Sequence, residues 1–200
     1  RFVSPNLRSA LQNTDLVTSK LQKEITAGRI AGPFTSPPLP DFHSSPIGRD
    51  SKRTPNEVRL IHHLSYRSGF SVNNNIPADC STIHETTINQ AVKIIQRSED
   101  SCFLAKSDKK SAFRIIPMHH PQDYPLLGIK WADKYYFDRC LPMGCSSSCA
   151  IFEAFSTSLE CLSMHKFRAS AVLHILDDFF VCGLLPREMS HRFGEFSPPL

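Results

Sequence analysis

The chain has 200 residues, 40% of them hydrophobic and 21% charged, with a formal net charge of +4. That balance suits one folded domain, or two small lobes sharing a core, and excludes a chain disordered throughout. No apolar run approaches the roughly 18 residues needed to span a bilayer, so no membrane partner is expected.

The seven cysteines are odd in number and scattered, and no secretory signal precedes them. They read as reduced thiols of an intracellular protein, in cytoplasm or nucleus. The chain opens on Arg1 and reads as a piece of something longer. The mild basic excess fits contact with nucleic acid but selects no partner by itself.

In chain order, Leu16, Leu21 and Ile25, with Lys20, Lys23 and Glu24 between them, predict a short amphipathic helix that Gly28 and Gly32 terminate. Pro33, Pro37, Pro38, Pro40 and Pro46 follow, which predicts an extended arm over the surface rather than helix or central strand. A strand is predicted from Val58 to Leu64, then a loop at Gly69 and Asn73-Asn74-Asn75. Ile88, Ala91, Val92 and Ile95 recur at helical spacing. They predict a helix from about Thr82 or Thr87 to Arg97, with Thr87 and Gln90 forming a capping box. Phe103-Leu104-Ala105 enters a strand ending at Asp108. Leu126 to Trp131 and Tyr135 to Leu141 predict a hairpin turned at Ala132-Asp133-Lys134. A helix is predicted from about Ser148 to Met164, with Ile151, Phe155, Leu159 and Leu162 on one face. Ala171 to Leu176 and Phe179 to Cys182 are two apolar, β-prone runs separated only by Asp177-Asp178, and no internal repeat is found.

Asp177-Asp178 is the most informative pair. Two adjacent carboxylates flanked by Val172 to Leu176 and Phe179 to Val181 cannot both be buried unpaired, because each would cost roughly several kcal/mol. A tight turn at a sheet edge would hold them, and their repulsion favours a proton or a cation there. A plain solvated turn is the simpler reading of an isolated pair. Asp108 shifts the balance, since it also ends an apolar strand and opens the run Asp108-Lys109-Lys110-Ser111-Ala112-Phe113-Arg114. Three carboxylates from two strand ends can hold two Mg²⁺ ions about 4 Å apart, an arrangement suited to phosphoryl transfer.

Five motifs in order carry a resemblance. They are Gly28-Arg29-Ile30-Ala31-Gly32-Pro33-Phe34 with Ser45-Pro46-Ile47-Gly48; Arg59 to Ser65 with Gly69 to Asn73; Asp108 to Arg114; Leu141-Pro142-Met143-Gly144-Cys145-Ser146-Ser147; and His174 to Phe179. Over about Leu16 to Gly183 the chain resembles the reverse transcriptase family, most closely that of DIRS-like (tyrosine-recombinase) retrotransposons. The resemblance implies an α+β polymerase palm, with a small antiparallel sheet backed by helices, plus a fingers lobe and no thumb. It places an N-terminal helix and Pro-rich extended arm in residues 1–50, fingers in 51–103, palm in 104–183 and a disordered tail in 184–200.

The same resemblance implies roles for matching positions. Asp108, Asp177 and Asp178 would bind two Mg²⁺ ions, with Mn²⁺ as a substitute. Lys52 and Arg59 would clamp the dNTP triphosphate, consistent with bidentate contacts from Arg and a point charge from Lys. Phe113 would be the steric gate against a 2′-hydroxyl. Met143 and Gly144 would meet template and incoming nucleotide, Gly144 by allowing close backbone approach. Partners would be an RNA or DNA template with primer, bound in a salt-dependent manner, and dNTPs; oligomeric state is open. Ile175 stands where relatives carry Tyr or Phe, and Lys109 where an apolar residue is usual. The alternative is a truncated, non-catalytic relic retaining at most nucleic-acid binding. Cys145, Cys149, Cys161 and His165 have a zinc-like spacing, but Cys149 and Cys161 would lie about 18 Å apart along one helix, too far to share an ion.

Overall fold

The computed structural model describes residues 2–51, 58–83, 86–98, 102–118, 121–167 and 169–183. In chain order these form β1 (Phe2–Val3), α1 (Arg8–Leu11), α2 (Thr14–Thr26), β2 (Ile30–Phe34), β3 (His43–Ser44), β4 (Ile47–Ser51) and β5 (Val58–His62). Then come α3 (Ile88–Arg97), β6 (Phe103–Asp108), β7 (Gly128–Trp131), β8 (Lys134–Asp138), α4 (Ser148–Phe167), β9 (Ala171–Ile175) and β10 (Asp178–Gly183). The class is α+β, as the sequence implied. Among the described residues no helix is long and apolar enough to cross a membrane. The chain divides into two compact units, Arg1–Ser81 with Phe113–Ser148, and Thr82–Ala112 with Cys149–Leu200.

The first unit is built on a five-stranded sheet in the order β1-β3-β7-β8-β2, with β4 and β5 pairing as a separate antiparallel ribbon. Helix α2 buries Val17, Leu21 and Glu24, three positions on one helical face. Val17 and Leu21 join Ala10, Ile30, Ile47, Ile129, Trp131 and Tyr136 in one apolar cluster. The helix ends at Thr26, and Gly28 takes a φ of +70°, with its N–H bonding the Ile25 carbonyl. Glu24 is the polar member of the buried face. Its Oε2 accepts from Arg29 Nε at 2.7 Å, its Oε1 accepts from Lys20 Nζ at 2.6 Å, and Arg114 Nε stands 3.5 Å away. Arg114 in turn pairs with the buried Asp138 at 2.7 Å.

The Pro-rich stretch departs from expectation. It does not simply wrap the surface: β2 is a strand at the sheet edge, and β3 lies inside the sheet between β1 and β7. Phe42, Pro46 and Ile47 are fully buried. Pro33 is tolerated because it sits where the β2–β8 register shifts, on an edge strand whose ladder does not need its missing N–H. The β7–β8 hairpin forms as predicted but with a tighter turn. Trp131 pairs with Lys134, leaving Ala132 (φ +46°) and Asp133 (φ +55°) as a two-residue turn of type I′ character.

In the second unit, β6, β10 and β9 form an antiparallel sheet in that order. Phe179 and Val181 of β10 and Val172 of β9 face one side, where Leu159 of α4 and Ala169 pack on them. Of the two expected starts the later holds: helix α3 begins at Ile88, with Thr87 as its N-cap and Gln90 Oε1 accepting the Thr87 N–H at 2.6 Å. Helix α4 runs to Phe167, past the expected Met164. Among the described residues its buried positions are Ser148, Phe152, Ser156 and Ser163, while Ile151 and Leu162, expected on one face with Phe155 and Leu159, are exposed. The covered stripe mixes apolar and hydroxyl residues, so its sequence periodicity is weak.

Candidate active site

The acidic residues meet at one end of the β6-β10-β9 sheet. Strand β10 pairs with β9 from Asp178↔Ile175 onward, so the connecting turn is Leu176-Asp177, not Asp177-Asp178 as the sequence suggested. The reason is the period of the strand. Phe179 and Val181 must face the core, and alternation then sends Asp178 to the opposite face as the first strand residue. Leu176 takes the strained position with φ +53°, which places the positive φ at the first turn residue as in a II′ turn. Ser156 of α4, itself fully buried, donates to the Leu176 carbonyl at 2.7 Å.

On the other side of β10, Asp178 stands directly opposite Asp108. The Lys109 N–H bonds the Asp177 carbonyl at 3.0 Å, which makes Lys109 and Asp177 the hydrogen-bonded pair and Asp108 and Asp178 the non-bonded pair. In that kind of pair the Cα atoms approach to about 4.5 Å and the side chains share one face. Asp177 is one residue away in the turn.

The electrostatics agree with this crowding. Burial pushes the Asp177 carboxyl above its usual range, and the charges of Asp108 and Asp178 push it further up, against its own backbone N–H and Lys106. Lys106 Nζ also stands 3.1 Å from Asp178 Oδ1. Both side chains are more than half exposed, so the pair contributes little to stability. Its interest is that a cation occupies the field of the acids. Among the described residues no three ligand-type side chains already converge on one point. The donor set nonetheless fits hard divalent cations, because it consists of carboxylate oxygens from facing positions whose mutual repulsion a cation relieves.

The remaining candidate residues that are described lie in the first unit. Lys52 lies outside the described residues. Arg59 is exposed on β5, opposite Asp50. Phe113 is 8% exposed and Met143 62% exposed. Gly144 is needed by the chain itself, since a Cβ there would fall inside contact distance of the His62 carbonyl oxygen. The turn it occupies is fixed by Asn73, whose Nδ2 donates to the Gly144 carbonyl at 2.9 Å and whose Oδ1 accepts the Ser146 N–H at 3.0 Å. Sequence reasoning missed Asn73, Lys106 and Ser156. Only Lys106 carried a local signal, being two residues before Asp108 on a strand and therefore on the same face.

No family model matches the chain, and no curated protein matches it in sequence. Solved structures do. A foamy viral protease-reverse transcriptase in complex with double-stranded DNA superposes with a TM-score of 0.67 at 14% identity, over 90% of this chain and 27% of that chain. The native prototype foamy virus protease-reverse transcriptase gives a TM-score of 0.64 at 18% identity, over 98% of this chain and 23% of that one. The chain thus spans about a quarter of the length of these neighbours. The likeness establishes a reverse-transcriptase-like fold.

Proposed function

We propose that the chain is the fingers-and-palm part of an RNA-directed DNA polymerase of the kind found in DIRS-like retrotransposons. The observation that carries this reading is the pairing of Asp108 with Asp178 across two strands, with Asp177 in the adjoining turn. It occurs on a fold similar to that of foamy virus protease-reverse transcriptases. The reaction is attack of a primer 3′-hydroxyl on the α-phosphate of a dNTP, with release of pyrophosphate. Asp108, Asp177 and Asp178 would hold two divalent cations, Mg²⁺ or Mn²⁺, which when bound supply charge stabilisation to the attacking and leaving oxygens.

Other roles follow from the motif matches. Residues 51–103 are assigned to the fingers and 104–183 to the palm. Arg59 and Lys52 hold the triphosphate through charge-assisted hydrogen bonds. Phe113 selects against a 2′-hydroxyl, and Met143 and Gly144 meet template and nucleotide. The structure of a neighbour with double-stranded DNA supports a template-primer duplex as partner. Binding through Lys and Arg makes affinity fall with rising salt, and a cytoplasmic or nuclear setting fits such a partner.

The test is primer extension by the full chain on an RNA template with dNTPs and Mg²⁺, repeated with Mn²⁺. Incorporation that disappears in Asp177→Asn supports the polymerase. Template binding without incorporation by the unaltered chain supports the relic instead.

A further inference from the structure

Helix α4 turns a polar stripe toward the acidic hairpin. Glu153, Ser156 and Glu160 occupy positions i, i+3 and i+7, so they share a face. His174 of β9 bridges two of them, with Nδ1 2.6 Å from Glu160 Oε2 and Nε2 3.1 Å from Glu153 Oε1. These contacts tie the body of the hairpin to the helix. Ser156 does something more local. A buried serine within a helix commonly bonds back one turn, as Ser163 does to the Leu159 carbonyl at 2.7 Å. Ser156 instead reaches out of the helix to the carbonyl of Leu176. Leu176 holds a left-handed conformation that residues other than glycine rarely adopt, and the two residues after it are Asp177 and Asp178.

We propose that Ser156 is a positioning residue for the acidic cluster, its hydroxyl fixing the Leu176 carbonyl and so the direction in which Asp177 leaves the turn. The inference rests on the reading that Asp108, Asp177 and Asp178 bind divalent cations. Ser156 acts through the backbone, at the carbonyl of the residue before Asp177. Supporting partners of this kind change metal affinity on the order of 10–100-fold when removed.

The test is Mn²⁺ affinity of the full chain, read by electron paramagnetic resonance, in the unaltered protein, Ser156→Ala and Ser163→Ala. Ser163 is the control, since it is similarly buried and hydrogen-bonded but bonds only its own helix. The expected result is a roughly tenfold or greater loss in Ser156→Ala and unchanged affinity in Ser163→Ala. Equal affinity in Ser156→Ala and the unaltered chain overturns the positioning role while leaving the cation site standing. Equal losses in both variants also overturn it, since they mark a general loosening of α4. If the unaltered chain binds no Mn²⁺, the cation reading itself falls and this inference with it. Should Ser156→Ala fail to fold, Ser156→Cys, which keeps the volume but is a weak donor, carries the same comparison: weakened binding supports the role and full affinity overturns it.

Discussion

Replacing Glu24 with Gln tests whether the first unit is held by its buried ion cluster. Burial alone would push this carboxyl up. The hydrogen bonds from Arg29 and Lys20, with the charges of Lys20 and Arg114, outweigh it and hold the group at about 2, against an ordinary 4.5. A depression of about 2.5 units corresponds to roughly 3 kcal/mol favouring the ionised form in the folded state. Gln keeps the shape but loses the charge, and its amide turns a donor toward Lys20 or Arg29. The loss expected at about pH 7 is therefore roughly 3 kcal/mol, within the range for removing one partner of a buried pair. With a urea m-value of about 1–3 kcal/mol/M, the midpoint should fall by on the order of 1–3 M.

The pH dependence has a definite sign. The folded carboxyl titrates below the unfolded one, so its stabilisation is complete above the unfolded value near 4.5 and is lost as pH falls toward about 2. The gap between Glu24→Gln and the unaltered chain should close over that window. A variant within about 0.5 kcal/mol of the unaltered chain at neutral pH, the range of an ordinary surface change, refutes the account. So does a gap that persists unchanged to about pH 2.

Three further outcomes are expected. Asp177→Asn should be more thermostable than the unaltered chain in EDTA, because burial and the charges of Asp108 and Asp178 already disfavour the ionised carboxyl; a lower melting temperature by circular dichroism contradicts this. Gly144→Ala should destabilise by about 1–3 kcal/mol in urea, since the new methyl meets the His62 carbonyl, a backbone group that cannot rotate aside. Ala132→Gly should stabilise by about 1 kcal/mol, as an exposed residue at φ +46° loses a steric cost and no packing; an unchanged or lowered urea midpoint means that the turn is not strained.

Where structure follows from neighbours in sequence, it was legible. The strand into Asp108, the two apolar runs around the acidic pair, the capping box at Thr87 and the long helix from Ser148 all rest on local period or cap chemistry. Local preference puts the turn of the acidic hairpin one residue too late, because Asp favours turns locally, while the register is set by Phe179 and Val181 seeking the core. The Pro-rich segment departs from its local signal for a similar reason. Proline content argues for a surface arm, but Phe42 and Ile47 are held by partners far along the chain, such as the β3–β7 pairing of Ser44 with Gly128. Glu24, Asn73 and Ser156 belong to this second class, since each matters through a bond to a group at least five residues away, and for Asn73 more than seventy.

The central claim is that Asp108, Asp177 and Asp178 form one cation site. Calorimetric titration of the full chain with Mg²⁺ tests it most directly, beside Asp108→Asn and Asp177→Asn. Saturable binding that weakens sharply in both variants, although Asp108 ends β6 and Asp177 lies in the turn between β9 and β10, is the predicted result. Binding that survives in either variant at full affinity, or none in the unaltered chain, contradicts it.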